Sequence, residues 1–220
     1  MARLSRVVLP GYPHHITQRG VRSMRIFRSK KDREEYLWLL SEQGKLFGVS
    51  FVAYCLMSNH VHLIAIPEEA ESLARGIGEA HRLYTRAVNF RQDVRGYLLQ
   101  GRFYSCPLDT RHLVAAIRYV ERNPVRAKLV EHAWEYSWSS AAFRVGLRTK
   151  DPLVKEPDPF DLDLNWRTLL QSDPKEMNLL EEKLRTGRPC GDADFVEKAE
   201  ELTGRWLKPR RPGRPKKKKK

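Results

Sequence analysis

The sequence predicts an α+β fold built on a split βαββαβ unit, and three observations lead there. Segments rich in β-branched and aromatic residues occur near 14–20, 49–56, 60–66 and 102–108. Stretches with apolar residues at helical spacing separate the first from the second and the third from the fourth. The two middle segments are joined only by Ser58-Asn59, which predicts an antiparallel hairpin.

Residues 1–13 are basic and apolar, and Pro10 and Pro13 stop any helix there. His14 to Gly20 reads as a short strand whose adjacent histidines face opposite ways, so they cannot share one site. Asp32 reads as a helix N-cap, with Glu35 at capping-box spacing. Leu37, Leu40, Gly44 and Phe47 follow at helical spacing up to Gly48. Val49 to Leu56 is the second strand and His60 to Ile66 the third. Leu73, Ile77, Ala80, Tyr84 and Val88 mark a second helix. Its other side offers Arg75, His81, Arg82 and Arg86, a solvated face or, beside a metal site, a phosphate holder. Arg102 to Leu108 is a fourth strand, after which Asp109 or Thr110 caps a third helix reaching to Asn123. The result is one antiparallel sheet with two helices on one face, the ferredoxin-like arrangement.

The centre of the chain is Met57-Ser58-Asn59-His60-Val61-His62. Residues two apart on a strand share a face, so His60 and His62 project together and offer half of a divalent-metal site. The alternative is a pair of satisfied, partly buried histidines. On the third helix, Leu113, Ile117 and Val120 form the apolar stripe, while His112, Tyr119, Asn123 and Arg126 lie on nearly the opposite side. A packing tyrosine belongs on the stripe. Tyr119 is off it, which makes it either a surface residue or a functional one. Pro124 ends the regular helix.

His132 to Ser140 is an aromatic cluster expected to pack over the sheet, with base stacking as the alternative. The proline- and aspartate-rich stretch 150–166 reads as a linker. Short helices are expected near Leu169-Leu170, Asn178–Leu184 and Glu197–Leu202, broken at Thr186-Gly187-Arg188-Pro189. The expected organisation is therefore a domain over 1–148, a helical accessory region over 149–204 and a tail over 205–220.

Net charge is +14 across 220 residues, and its placement is uneven. Residues 205–220 hold ten Lys or Arg and no acid, which leaves 14 − 10 = +4 for the rest. Such a tail cannot bury a core and is expected to be disordered alone. Its Arg210-Arg211-Pro212-Gly213-Arg214-Pro215 resembles an AT-hook, which lies in the minor groove of A·T-rich DNA. A merely solubilising tail is the alternative. Three widely spaced cysteines form neither a zinc motif nor a disulfide framework. No segment resembles a signal peptide or approaches the roughly 20 apolar residues of a membrane span. A cytoplasmic, nucleoid-associated protein that meets no membrane is expected.

Taken together, Met57-Ser58-Asn59-His60-Val61-His62 and Tyr119-Val120-Glu121-Arg122-Asn123-Pro124-Val125 resemble the HUH-type single-tyrosine transposases. Within them the chain is most similar to the REP-associated tyrosine transposases. Ala2-Arg3-Leu4, the His14–Gly20 segment and Trp138-Ser139-Ser140 share in that likeness, which covers about residues 1–145. The resemblance implies His60 and His62 as ligands of Mg²⁺ or Mn²⁺ and Tyr119 as nucleophile. Asn123 stands where the family supplies a third polar ligand, often Gln, whose reach is longer. It further implies single-stranded or hairpin DNA as substrate, cleaved through a 5′-phosphotyrosine intermediate, and a monomer or homodimer. Arg19, Arg82, Arg86, Arg210, Arg211 and Arg214 are the candidate DNA contacts. A non-catalytic DNA- or RNA-binding protein on the same scaffold is the competing reading.

Overall fold

Strand β1 (His14–Arg19) lies inside a four-stranded antiparallel sheet of order β2-β3-β1-β4, with β2 (Val49–Leu56), β3 (His60–Pro67) and β4 (Tyr104–Pro107). This is the split βαββαβ topology read from the sequence. The computed structural model describes residues 6–157 and 161–208. Arg210, Arg211, Arg214 and the AT-hook-like segment lie outside the described residues.

Helices α1 (Lys30–Leu46) and α2 (Ser72–Gln92) cover one face of the sheet. Alternation along β1 and β3 sends Ile16, Val61, Leu63 and Ala65 into that layer, where they meet Tyr36, Leu40, Leu73, Ile77 and Tyr84. Gly44 lets α1 approach closely, because a Cβ there would sit 2.7 Å from the Phe51 ring.

The start of α1 differs from expectation. Ser29, not Asp32, is the N-cap and accepts the Asp32 N–H at 3.1 Å, while the Asp32 carboxylate accepts the amides of Arg28 (2.8 Å) and Ser29 (2.9 Å). Asp32 thus fills the third position of the box, a role that a short acid can take from the same motif. We expect Ser29→Ala to lower stability by about 1 kcal/mol in urea denaturation, the usual cost of a lost cap.

The opposite face carries α3 (Thr110–Glu121), capped by Asp109 through the His112 N–H. Val52, Cys55, Ile64, Cys106, Leu113, Ile117 and Val120 form the core beneath it. The short α4 (Asn123–Arg126) follows directly, with Pro124 in its first turn. Residues 136–140 then run along the margin of β2, where Leu56 N–H donates to Trp138 O (2.8 Å) and Ser140 N–H to Tyr54 O (3.1 Å). The aromatic cluster therefore packs, as expected: Tyr136 donates to Leu56 O at 2.9 Å, and Trp138 lies against the α1–α2 core. Helix α5 (Ala141–Arg144) ends in Arg144, whose guanidinium is fully buried against Glu121.

The stretch after Lys150 is not a free linker up to Pro157. Asp151 accepts the Tyr54 hydroxyl at 3.1 Å, and Leu153 and Val154 are buried in the first core. Two apolar residues among prolines are enough to pin it. Beyond α6 (Trp166–Leu169), α7 (Met177–Thr186) packs on α3 and β4, and Gly187, at φ +71, closes it. Helix α8 (Ala193–Thr203) buries Phe195 and Ala199 against Val7 and Leu9.

Two buried histidines outside the site are held neutral. His14 Nε2 accepts the Leu9 N–H (3.1 Å), so its proton is on Nδ1 and donates to Tyr12 O (2.8 Å). Burial pushes its pKa down to about 4. His81, bonded to the Tyr36 hydroxyl at 2.7 Å, is pushed down to about 3, again chiefly by burial. In the unfolded chain both titrate near 6.5. Below that value the unfolded state binds more protons, so stability must fall as pH drops toward the folded values. The urea midpoint is expected to decrease steadily from about pH 7 to about pH 5.

Candidate active site

Tyr119 meets the histidine pair on the α3 face of the sheet. Its ring centroid lies 5.6 Å from that of His62, and the His60 and His62 rings are 5.2 Å apart and nearly perpendicular. The polar side of α3 is not a solvent face, since Tyr119 is 6 % exposed. It is turned toward the imidazoles and covered by α7, whose Glu181 Oε1 accepts the Tyr119 hydroxyl at 3.1 Å.

Each imidazole has its Nδ1 engaged. His60 Nδ1 lies 2.6 Å from Asn59 Oδ1, and Asn59 donates its own amide nitrogen to Ser23 O at 3.3 Å. That second bond orients the amide, so His60 carries its proton on Nδ1. His62 Nδ1 lies 3.0 Å from Nε2 of His15. In His60 this leaves Nε2 as the nitrogen for a ligand; in His62 Nε2 is open to one when Nδ1 carries the proton toward His15. Burial, aided by Arg19 and Arg126, lowers the His60 pKa to about 4. Burial, then His15 and His60, lowers that of His62 well below the ordinary value. Both are thus neutral near pH 7, the form that binds metals.

The donors fit half a coordination sphere. The third member is not in place. Asn123 donates to the carbonyls of Tyr119 (3.0 Å) and Val120 (3.3 Å), and its Oδ1 accepts from Arg126 at 3.0 Å. Among the described residues no group of three or more His, Cys, Asp or Glu side chains is arranged to hold a metal ion.

Cationic character comes from two sides. Arg126 stacks its guanidinium 3.9 Å from the Tyr119 ring centre. Burial raises the phenol pKa, and Arg126 opposes that rise. Arg19 pairs in register with His60 at the end of β1. Arg82 and Arg86 belong to α2, across the sheet from the histidines, and Arg82 is held by Glu79 at 2.8 Å. The alternation that brings His60 and His62 together is what places α2 behind them.

Sequence reasoning missed His15, Glu181, and the exposed Phe90 (88 %) and Tyr97 (89 %). The loop bearing Tyr97 joins the Arg19 end of the sheet through Val21 N–H to Leu98 O (3.0 Å) and Gln100 N–H to Arg19 O (2.8 Å). His15 had a readable signal: strand pairing sets it opposite Ile64, on the face of His62.

A ferredoxin-like sheet thus carries a His-x-His strand faced by a tyrosine on α3, the helix after the fourth strand, which is the arrangement that the resemblance to the HUH single-tyrosine transposases implies. The profile of the family described as "Transposase IS200 like" matches residues 12–123, just over half of the chain, and the chain belongs to that family. It is thereby a transposase-like DNA-processing protein. Among solved structures it is similar to a REP-associated tyrosine transposase bound to a REP hairpin. The identity is 16 % and the TM-score 0.58, over 71 % of this chain and 92 % of that one. That likeness shows the fold. A Deinococcus radiodurans R1 chain, described provisionally as a transposase, aligns at 15 % identity and TM-score 0.37, over 55 % of this chain and 97 % of that one. No curated protein matches. No helix among the described residues is long and apolar enough to cross a membrane.

Proposed function

We propose that this chain cleaves and rejoins single-stranded DNA at or near hairpin repeats, through a covalent link between Tyr119 and a 5′-phosphate. The observation that carries the reading is the convergence of Tyr119 with two neutral imidazoles on one buried face. Membership of a transposase family supports it, as does the hairpin held by the REP-associated relative.

His60 and His62 would hold a divalent ion through Nε2, with Asn123 as a third ligand once released from Arg126. Two imidazoles suit Mn²⁺ better than Mg²⁺. Such an ion, when bound, withdraws charge from the scissile phosphate. Tyr119 Oη attacks phosphorus in line, the P–O3′ bond breaks, and the departing oxygen takes a proton from water to leave as a free 3′-OH. Glu181 Oε1 is placed to take the phenolic proton. Arg126 and Arg19 face the phosphate with positive charge. Reversal by another 3′-OH rejoins strands without ATP.

Single strands are favoured because an in-line attack needs an unstacked phosphate. Tyr97, exposed on the loop joined to the Arg19 end of the sheet, offers a face for an unpaired base. Arg210, Arg211 and Arg214 would add sequence-independent attraction.

The deciding experiment incubates the protein with labelled single-stranded hairpin DNA and Mn²⁺, followed by denaturing electrophoresis. A protein–DNA adduct is expected, and its absence with Mn²⁺ bound would remove the transfer mechanism. Glu181→Gln keeps a hydrogen-bond acceptor but takes no proton. We expect its adduct to form about 10²-fold more slowly, with DNA affinity unchanged. A rate equal to wild type would take Glu181 out of the proton path.

One observation favours a second reading, a nucleic-acid binder without catalysis: the phenol is covered and bonded to Glu181. That reading expects tight, steeply salt-dependent binding with no metal requirement and no adduct.

A further inference from the structure

His15 is the least exposed of the imidazoles around the site, at 0 %. It belongs to β1, beside β3, and its ring centroid lies 5.3 Å from that of His62. It also meets Tyr119 edge-on at 5.4 Å, so the three rings sit mutually in contact. Its Nε2 is 3.0 Å from His62 Nδ1, while its own Nδ1 is buried without a hydrogen-bond partner. A buried unpaired ring nitrogen costs free energy that an apolar residue of the same shape would not incur. Packing alone does not call for an imidazole here, since the strand neighbours of His15 on this face are the apolar Ile64 and Cys106.

Proton bookkeeping points to a role. Two neutral imidazoles joined by one hydrogen bond share one proton between the bonded nitrogens. If His15 donates, His62 keeps its remaining proton on Nε2 and cannot bind a cation there. If His62 donates from Nδ1, its Nε2 carries a lone pair. Asn59 imposes that same state on His60, since its carbonyl oxygen can only accept.

We propose that His15 is a positioning residue: it accepts the Nδ1–H of His62, fixes the tautomer that presents Nε2 to a divalent cation, and braces the Tyr119 ring. It touches neither substrate nor cation. The inference rests on the metal-dependent reading above, and outer partners of this kind commonly account for 10- to 100-fold in metal affinity.

The test measures Mn²⁺ binding to the full chain by electron paramagnetic resonance of the free ion, for wild type, His15→Gln and His15→Leu. Gln can still accept through its side-chain oxygen. Leu cannot. We expect His15→Leu to bind Mn²⁺ about 10- to 100-fold more weakly and His15→Gln to recover most of the loss. A folded His15→Leu with wild-type affinity overturns the proposal, and so does a folded His15→Gln as weak as the Leu variant. Should the Leu variant not fold, nitrogen-15 spectra of wild type saturated with Mg²⁺ decide: a proton on Nδ1 of His62 supports the role, and ligation through Nδ1 overturns it. Wild type that binds no Mn²⁺ sinks both this inference and metal dependence. Normal Mn²⁺ binding without a DNA adduct sinks only strand transfer.

Discussion

Tyr119→Phe is expected to abolish the covalent protein–DNA adduct while leaving binding to hairpin DNA intact. The substitution removes one oxygen. The ring keeps its contacts with His15 and His62 and its place beneath Arg126. The folded state loses the hydroxyl's hydrogen bond to the Glu181 carboxylate, worth about 1.5–3 kcal/mol as a bond to a charged group. On the proposed mechanism this removes the nucleophile, a loss that in enzymes with a covalent intermediate lowers the rate by at least about 10⁴-fold. The result is read as a labelled band retained with protein on a denaturing gel. An adduct persisting in the variant would assign the attack to another group.

The largest expected effect on stability lies away from the chemistry. Glu121 on α3 and Arg144 on α5 form an ion pair at 2.8 Å, with side chains 0 % and 1 % exposed. Arg144 also donates to Val52 O at 2.6 Å and Pro157 O at 2.5 Å, and Glu121 accepts from Ser140 Oγ at 2.7 Å. One guanidinium therefore ties α3, the margin of β2 and the segment after α5. Burial raises the Glu121 pKa and Arg144 holds it back. Arg144→Met strands an uncompensated carboxylate in the core, at a cost of about 3–5 kcal/mol. Glu121→Leu added to Arg144→Met is expected to restore much of that loss, because the unpaired charge is then gone too. Urea denaturation of the wild type, both single variants and the double variant measures the coupling. A single-variant loss under about 1 kcal/mol would mean that water reaches the pair.

Much of this was legible in the chain. The alternation His60-Val61-His62-Leu63 fixes both the imidazole face of β3 and the face that meets α1 and α2, and it holds because a strand leaves no other choice. Tyr119 stood out by its displacement from the Leu113–Ile117–Val120 stripe. What escaped depends on chain segments far apart. Glu181 meets Tyr119 across 62 positions, and the Glu121–Arg144 pair spans 23. Nothing local marks either acid. Asp32 was misplaced as a cap because Ser29 and Asp32 satisfy the same box from opposite ends. Asn123 lies one turn beyond Tyr119, and its side-chain oxygen is taken by Arg126 three residues on in α4, a local bond that the spacing did not single out.

The sheet margins carry a consequence for self-association. Along β2, the backbone groups of Tyr54 and Leu56 are taken by Trp138 and Ser140, and Val52 O by Arg144. At the other margin, Pro107 O accepts the Cys190 N–H at 2.8 Å. Unsatisfied strand edges are what recruit foreign chains into cross-molecule ladders. Here the polypeptide has spent its own later segments as selvedge, so a second copy would have to dock through helices or loops rather than extend the weave.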